Sequence, residues 1–272
     1  MRRRRKSSRH FFAYFLVIAA LCGAYLVYTR PGTVSIQATQ PLESKNENTE
    51  PLAVETPTNQ QSSNDIVPVT APQHDYAIPP IKNGLAPVLL VIPTKEPVVF
   101  LGIDDGANKQ DFELQMMKDN NIHASVFLAR RFITDNPLFF KTVENQGSII
   151  EDHSLTHRLL SGVSYQEQKQ EICGMSDYIL EKYGHRPTFF RPPGGSYDQT
   201  TQKATADCGM KAVVMWHAKA NGGSMQYQSG HSLKAGDIVL MHFRPEFKKD
   251  MQAFIDASAA AGLHTELLED WL

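Results

Sequence analysis

The sequence predicts an α/β domain built on a mainly parallel sheet, open or closed into a barrel. Short apolar runs alternate with amphipathic stretches over most of the second two-thirds of the chain, the pattern that strand–helix units give. Five of those runs end in acids, histidines or an arginine, and in parallel α/β sheets the chemistry collects at the C-terminal ends of strands. With 272 residues, 42% of them hydrophobic, the chain can bury a sizeable core without disulfide support.

The elements follow in order. Arg2, Arg3, Arg4, Arg5, Lys6 and Arg9 form a basic tip over 1–10, followed by an uncharged apolar run from Phe11 to Tyr28. At 1.5 Å rise, eighteen residues reach about 27 Å, just enough to cross a bilayer's hydrocarbon core. The basic tip stays cytoplasmic, so residues 11–28 are expected as a transmembrane signal anchor that sends the rest of the chain outside. A cleaved signal peptide is the rival reading, but the run is long for one and no Ala-x-Ala site directly follows. Leu21 is too bulky for a lipoprotein site at Cys22.

Residues 29–81 read as a disordered linker. Eight of the 16 Pro and only one Gly fall in 31–81, among many Thr, Gln, Asn and Ser, and no apolar periodicity survives to drive folding. A coil of that length spans about 40 Å, which suits a spacer between a membrane and a domain at 82–272. Net charge is −2 and the sequence pI is 6.5. The basic excess is confined to the N-terminal tip, so nucleic acid is not an expected partner.

Within the domain, Val98–Ile103, His123–Leu128, Ser148–Glu151, Thr188–Phe190, Ala212–Met215, Ile238–Met241 and His264–Leu267 read as strands. A helix is predicted to start at Ser164 with a capping box to Glu167. It carries Ile172, Met175, Ile179 and Tyr183 on one face and stops at Gly184. Another starts at Pro245, repeats Phe247, Met251, Phe254, Ile255 and Ser258, and stops at Gly262.

Asp104, Asp105 and Gly106 follow the first run, and Asp152, His153 and His157 the third. Arg191 follows the fourth, Trp216 and His217 the fifth, and His242 the sixth. His153 and His157, spaced i and i+4, can face one way at a helix start and hold a metal ion. Neither this pair nor the Asp pair is informative alone. Two carboxylates after a buried strand repel unless a cation or Arg lies between them. Asp105 with the two imidazoles makes a one-oxygen, two-nitrogen donor set with open positions. That leaves Asp104 to take a proton, with Arg191 holding it ionised.

Ile-Asp-Asp-Gly at 103–106, His-Ser-Leu-Thr-His at 153–157, Phe-Arg-Pro-Pro-Gly-Gly at 190–195 and Leu-Met-His at 240–242 resemble, in order and spacing, the polysaccharide deacetylase family (carbohydrate esterase family 4). The resemblance covers roughly residues 95–272. It implies a distorted (β/α) barrel with about seven parallel strands and a divalent metal, usually Zn²⁺. By position, Asp104 looks like the catalytic base, His242 like the general acid and Arg191 like the residue that holds the base. Asp105, His153 and His157 look like the metal ligands. Pro193, Gly194, Tyr197 and Trp216 stand where substrate would lie, with the backbone N–H near Gly194 as an oxyanion donor.

The sequence departs from that pattern in three places. Gly102-Ile103 replaces the usual Thr-Phe, and Gly194 stands where a Tyr usually follows the two Pro. The family also has an Asp shortly after the Trp, orienting the general acid, but no acid occurs here between Asp207 and Asp237. His242 is therefore expected to titrate low, with His217, Asn221 or Glu246 as substitute partners. Trp216, Tyr197 and Phe243 can stack on sugar rings or serve as core. Cys173 and Cys208, on flanking helices, fit either a disulfide in an oxidising exterior or two buried thiols.

The expected activity is metal-dependent removal of acetyl groups from N-acetylated cell-wall glycan such as peptidoglycan, at the outer face of the membrane. An O-acetyl polysaccharide esterase uses the same chemistry. A saccharide-binding or wall-associated protein that keeps the metal site but has lost turnover is the rival from another class. A serine hydrolase finds no Gly-x-Ser-x-Gly elbow.

Overall fold

Side chains alternate faces along a strand, and in Val98–Asp105 that alternation divides the interior in two. Val98 and Phe100 join Phe127, Phe189, Ile238, Leu268 and Trp271 in the core on one face. Val99, Leu101 and Ile103 pack against the helices on the other. The computed structural model describes residues 74–271. The expected basic tip, anchor and most of the linker lie outside them. Among the described residues, no helix is long and apolar enough to cross a membrane.

The chain runs β1 (Val88–Leu89), β2 (Val98–Asp105), α1 (Asp111–Asp119), β3 (Ser125–Leu128), α2 (Arg130–Ile133) and α3 (Pro137–Asn145). It continues through β4 (Ile149–Asp152), α4 (Tyr165–Tyr183), β5 (Phe189–Phe190), α5 (Gln199–Asp207) and β6 (Ala212–Val214). Next come β7 (Ala218–Asn221), β8 (Ser224–Tyr227), β9 (Ile238–His242), α6 (Phe247–Ala261) and β10 (His264–Glu266). A 3₁₀ turn, Leu268–Trp271, follows. The sheet order is β1-β6-β5-β4-β3-β2-β9-β7-β8, with β10 beside β2. Every pairing is parallel except β7 with β8.

The seven expected strands are present, and the distorted barrel is borne out in part, as a curled, parallel-rich half-barrel sheet of ten strands. β1 lies at one end of the strand order and β8 at the other. The β7–β8 hairpin was not expected because Ala-Lys-Ala-Asn and Ser-Met-Gln-Tyr are weak strand formers. The signal for it was Gly222-Gly223, both at positive φ (64° and 81°), the backbone that tight hairpin turns require. α6 starts at Phe247 rather than Pro245. α4 begins and ends as predicted, its Ser164 side chain accepting from Glu167 N and Gly184 closing it in the left-handed conformation. The Glu167 carboxylate accepts from the Ser164 hydroxyl rather than from its backbone N–H, so the capping box is only half formed.

Packing starts before residue 82. His74 stacks on Trp271 with ring centroids 3.8 Å apart, and Tyr76 and Ile78 pack against the core beneath. Cys173 on α4 and Cys208, the residue that caps α5, form a disulfide across 35 residues of sequence. Closing such a loop stabilises by about 3–4 kcal/mol in the chain-entropy view.

Beside the first residues of β3 and β5, two carboxyls lie together in the interior. Glu151 accepts from the Thr188 and Phe189 N–H groups, and Glu269 accepts from the Ser125 hydroxyl at 2.9 Å. Burial pushes Glu269 up to about 7, and burial with Glu269 alongside pushes Glu151 well above its ordinary value. Both folded-state values lie above the unfolded one. The contribution of Glu269 is therefore fully present below about pH 4.5 and is lost as pH rises through about 7. Glu269→Gln is expected to raise stability at pH 8 by about 2 kcal/mol and leave it nearly unchanged at pH 4. Thermal melting across that range checks it, and an equal effect at both pH values would refute it.

Candidate active site

β2 delivers both aspartates, as its last two residues rather than beyond its end. Asp104 stays on the inner face and is 3% exposed, and the fully buried Arg191 donates to its Oδ1 from Nη1 at 2.7 Å. Arg191 also donates from Nε to the Val214 carbonyl and from Nη2 to that of Met215. Its guanidinium lies 4.1 Å from the Phe127 ring centroid. A guanidinium so engaged is a fixed counter-charge rather than a mobile one. Gly102 makes room for it, because a Cβ there would collide with Nη1 and Nη2. The Gly102 departure thus accommodates the arginine that grips Asp104.

Asp105 turns the other way. Its φ is 78° and that of Gly106 is 81°, a backbone conformation that costs a non-glycine residue and clusters at functional sites. Asp105 Oδ1 lies 3.1 Å from His157 Nε2 and 3.6 Å from His153 Nε2, with no well-aligned hydrogen bond to it. The donor atoms of Asp105, His153 and His157 all lie within 4.8 Å of one another. His153 Nδ1 donates to the Arg191 carbonyl at 2.6 Å, which leaves Nε2 of the neutral ring as a lone-pair donor. Burial pulls the Asp105 carboxyl up, but the two imidazoles outweigh it and hold it well below the usual carboxylate range. An orphaned carboxylate oxygen facing two imidazole nitrogens fits a small divalent cation.

The histidines meet without a helix start, which corrects the expected local geometry. Residues 153–160 form an irregular loop, with Ser154 at φ 73° and His157 at φ 59°. Glu171, on α4, pins this loop by accepting from Thr156 N at 2.8 Å and Thr156 Oγ1 at 2.6 Å. Sequence reasoning missed Glu171. Its signal was an acid one turn before Met175, on the buried stripe of the helix.

His242 ends β9, in register with Asp104. Burial pulls its imidazole below the ordinary value, Asp104 and Asp105 pull it back, and Arg244 and His153 add to the lowering. Its Nδ1 is buried without a hydrogen-bond partner. The three substitute partners are engaged elsewhere. His217 Nε2 meets Ser229 Oγ at 2.8 Å and its Nδ1 lies 3.0 Å from Asp237. Asn221 Oδ1 accepts from Arg244 at 2.6 Å, and Glu246 lies 3.7 Å from the same guanidinium. Asp250, fully buried on α6, also holds Arg244 and accepts from Gly223 N. It too was missed, although it lies on the apolar stripe of Phe247, Met251 and Phe254.

Of the expected substrate residues, Pro193 is buried, Gly194 exposed, and Tyr197 and Trp216 half-buried. Gly194 and Gly195 have φ of 61° and 69°. The Gly195 and Ser196 N–H groups donate to the Pro192 and Pro193 carbonyls, leaving the Gly194 N–H at the open start of the turn. Phe243 is core, stacked on Phe247 and edge-on to Phe140.

The parallel-rich sheet gathers at its C-terminal rim an Asp-His-His donor set beside an arginine-held aspartate, an arrangement chemically able to support metal-assisted hydrolysis. Residues 92–213 match the polysaccharide deacetylase family model. An uncharacterized protein of Streptomyces coelicolor is 36% identical over 157 residues, 57% of this chain and 63% of that protein. The chain therefore spans less than two-thirds of that relative's length. A peptidoglycan-N-acetylglucosamine deacetylase of Bacillus cereus is 26% identical over 61% of this chain and 89% of that protein. A family 4 carbohydrate esterase pseudoenzyme from Bacillus anthracis shares the fold, with TM-score 0.58 at 19% identity over 68% of each chain. Residues 92–213 thus carry a polysaccharide deacetylase family domain.

Proposed function

We propose that the chain is a membrane-anchored, metal-dependent deacetylase that removes acetyl groups from N-acetylated cell-wall glycan such as peptidoglycan outside the cell. The observation that carries this is the buried Asp104–Arg191 pair beside the Asp105, His153 and His157 donor set. These three side chains would hold the divalent ion, with Zn²⁺ the expected one. Bound there, such an ion supplies Lewis acidity toward an acyl carbonyl and makes water a stronger acid.

The chain's own residues supply the rest. Arg191 keeps Asp104 charged and oriented, so its free Oδ2 can take the proton of the attacking water. The Gly194 N–H is placed to donate to the developing oxyanion. His242 gives its proton to the sugar nitrogen as the C–N bond breaks, and acetate leaves. Relatives named as peptidoglycan deacetylases support this reading.

The unpartnered His242 Nδ1 favours a second reading, a saccharide-binding protein with impaired turnover. A deacetylase is expected to release acetate from acetylated glycan, stop when treated with a chelator, and recover with added Zn²⁺. Glycan binding that survives chelation, with no acetate released under any condition, would leave the second reading.

A further inference from the structure

Leu159 is 63% exposed, two residues beyond His157. The chain around it is fixed. Thr156 is held by Glu171, Ser161 N donates to Ser196 Oγ at 3.2 Å, and Gly162 N donates to Asp198 at 2.8 Å. The neighbouring Leu160 is fully buried with Ile172, Phe190 and Val213. The exposure of Leu159 is thus imposed by a braced loop. Its side chain rests against Gly194, where a Cβ would come within 3.0 Å of Leu159 Cδ2. On the other side of the turn, a Cβ on Gly195 would meet Trp216 at 2.9 Å. Two glycines without side chains are thereby flanked by an exposed leucine and a half-buried indole, beside the N–H proposed as the oxyanion donor.

Resting on the deacetylase reading, we infer that Leu159 is a specificity-determining residue that packs on the apolar face of a glycan sugar seated over Gly194. A pyranose ring presents its axial C–H bonds on one face. A preorganised apolar side chain gains contact with that face at little entropic cost. The contact is made equally in the ground and transition states, so it acts on KM and leaves kcat alone.

The test uses the full chain and its Leu159→Ser and Leu159→Met variants. On acetylated glycan polymer, Leu159→Ser is expected to raise KM about tenfold, equal to about 1.4 kcal/mol, with kcat, metal content and melting temperature unchanged. Leu159→Met should stay near wild type, since it keeps the apolar surface. An unchanged KM for Leu159→Ser, or an equal loss in Leu159→Met, overturns the inference. Retention on insoluble glycan in the presence of a chelator reads the same contact without turnover. If the wild type releases no acetate, the deacetylase reading fails, while weaker retention of Leu159→Ser still supports the leucine contact and equal retention refutes it.

Discussion

Asp104→Asn is expected to lower kcat for acetate release by roughly 10³, within the range that a positioned general base contributes. The amide keeps the shape of the carboxylate, and Asp104 is not among the three converging donors. Metal content and KM should therefore stay near wild-type values, separating this loss from one caused by a damaged metal site. Metal analysis beside steady-state kinetics on one acetylated glycan checks both halves. Activity within a few-fold of wild type would remove Asp104 from the reaction, and with it the main support for the enzymatic reading.

Arg191→Met is expected to destabilise the fold by about 3–5 kcal/mol, because it strands a buried carboxylate. Asp104 is 3% exposed, and among the described residues the arginine is its one charge-bearing donor at hydrogen-bond distance. The carbonyls of Val214 and Met215 lose their guanidinium donor as well. Urea unfolding measures the loss. Pairing the change with Asp104→Asn should recover part of it, since no uncompensated charge then stays inside. A loss below about 1 kcal/mol would show that water or another cation reaches Asp104.

Seven of the parallel strands were legible because they fall on short apolar runs, most of them ending in polar residues, and the two long helices because their stripes and glycine stops are strong local signals. The rest depended on tertiary context. β1 has two residues and β7 and β8 have four each, too few for periodicity to register. The donor residues could be named from local order, but their geometry could not. An i, i+4 spacing suggests a helical turn, whereas left-handed conformations at Ser154 and His157 and a brace from α4 bring the imidazoles together. The same limit hid Glu171 and Asp250, whose partners lie 15 and 6 or more residues away. It also made His217, Asn221 and Glu246 look available to His242, because sequence shows proximity along the chain and not prior commitments in space.

The Cys173–Cys208 bond acquires a meaning from where its first half sits. Two residues before Cys173 on α4, Glu171 clamps the loop carrying both imidazoles, and the bond ties that helix to the next. A chain matured in a thiol-rich compartment would keep every donor atom yet lack this strut. The oxidation state of two sulfurs thus couples the place of maturation to how tightly the cation cradle is framed.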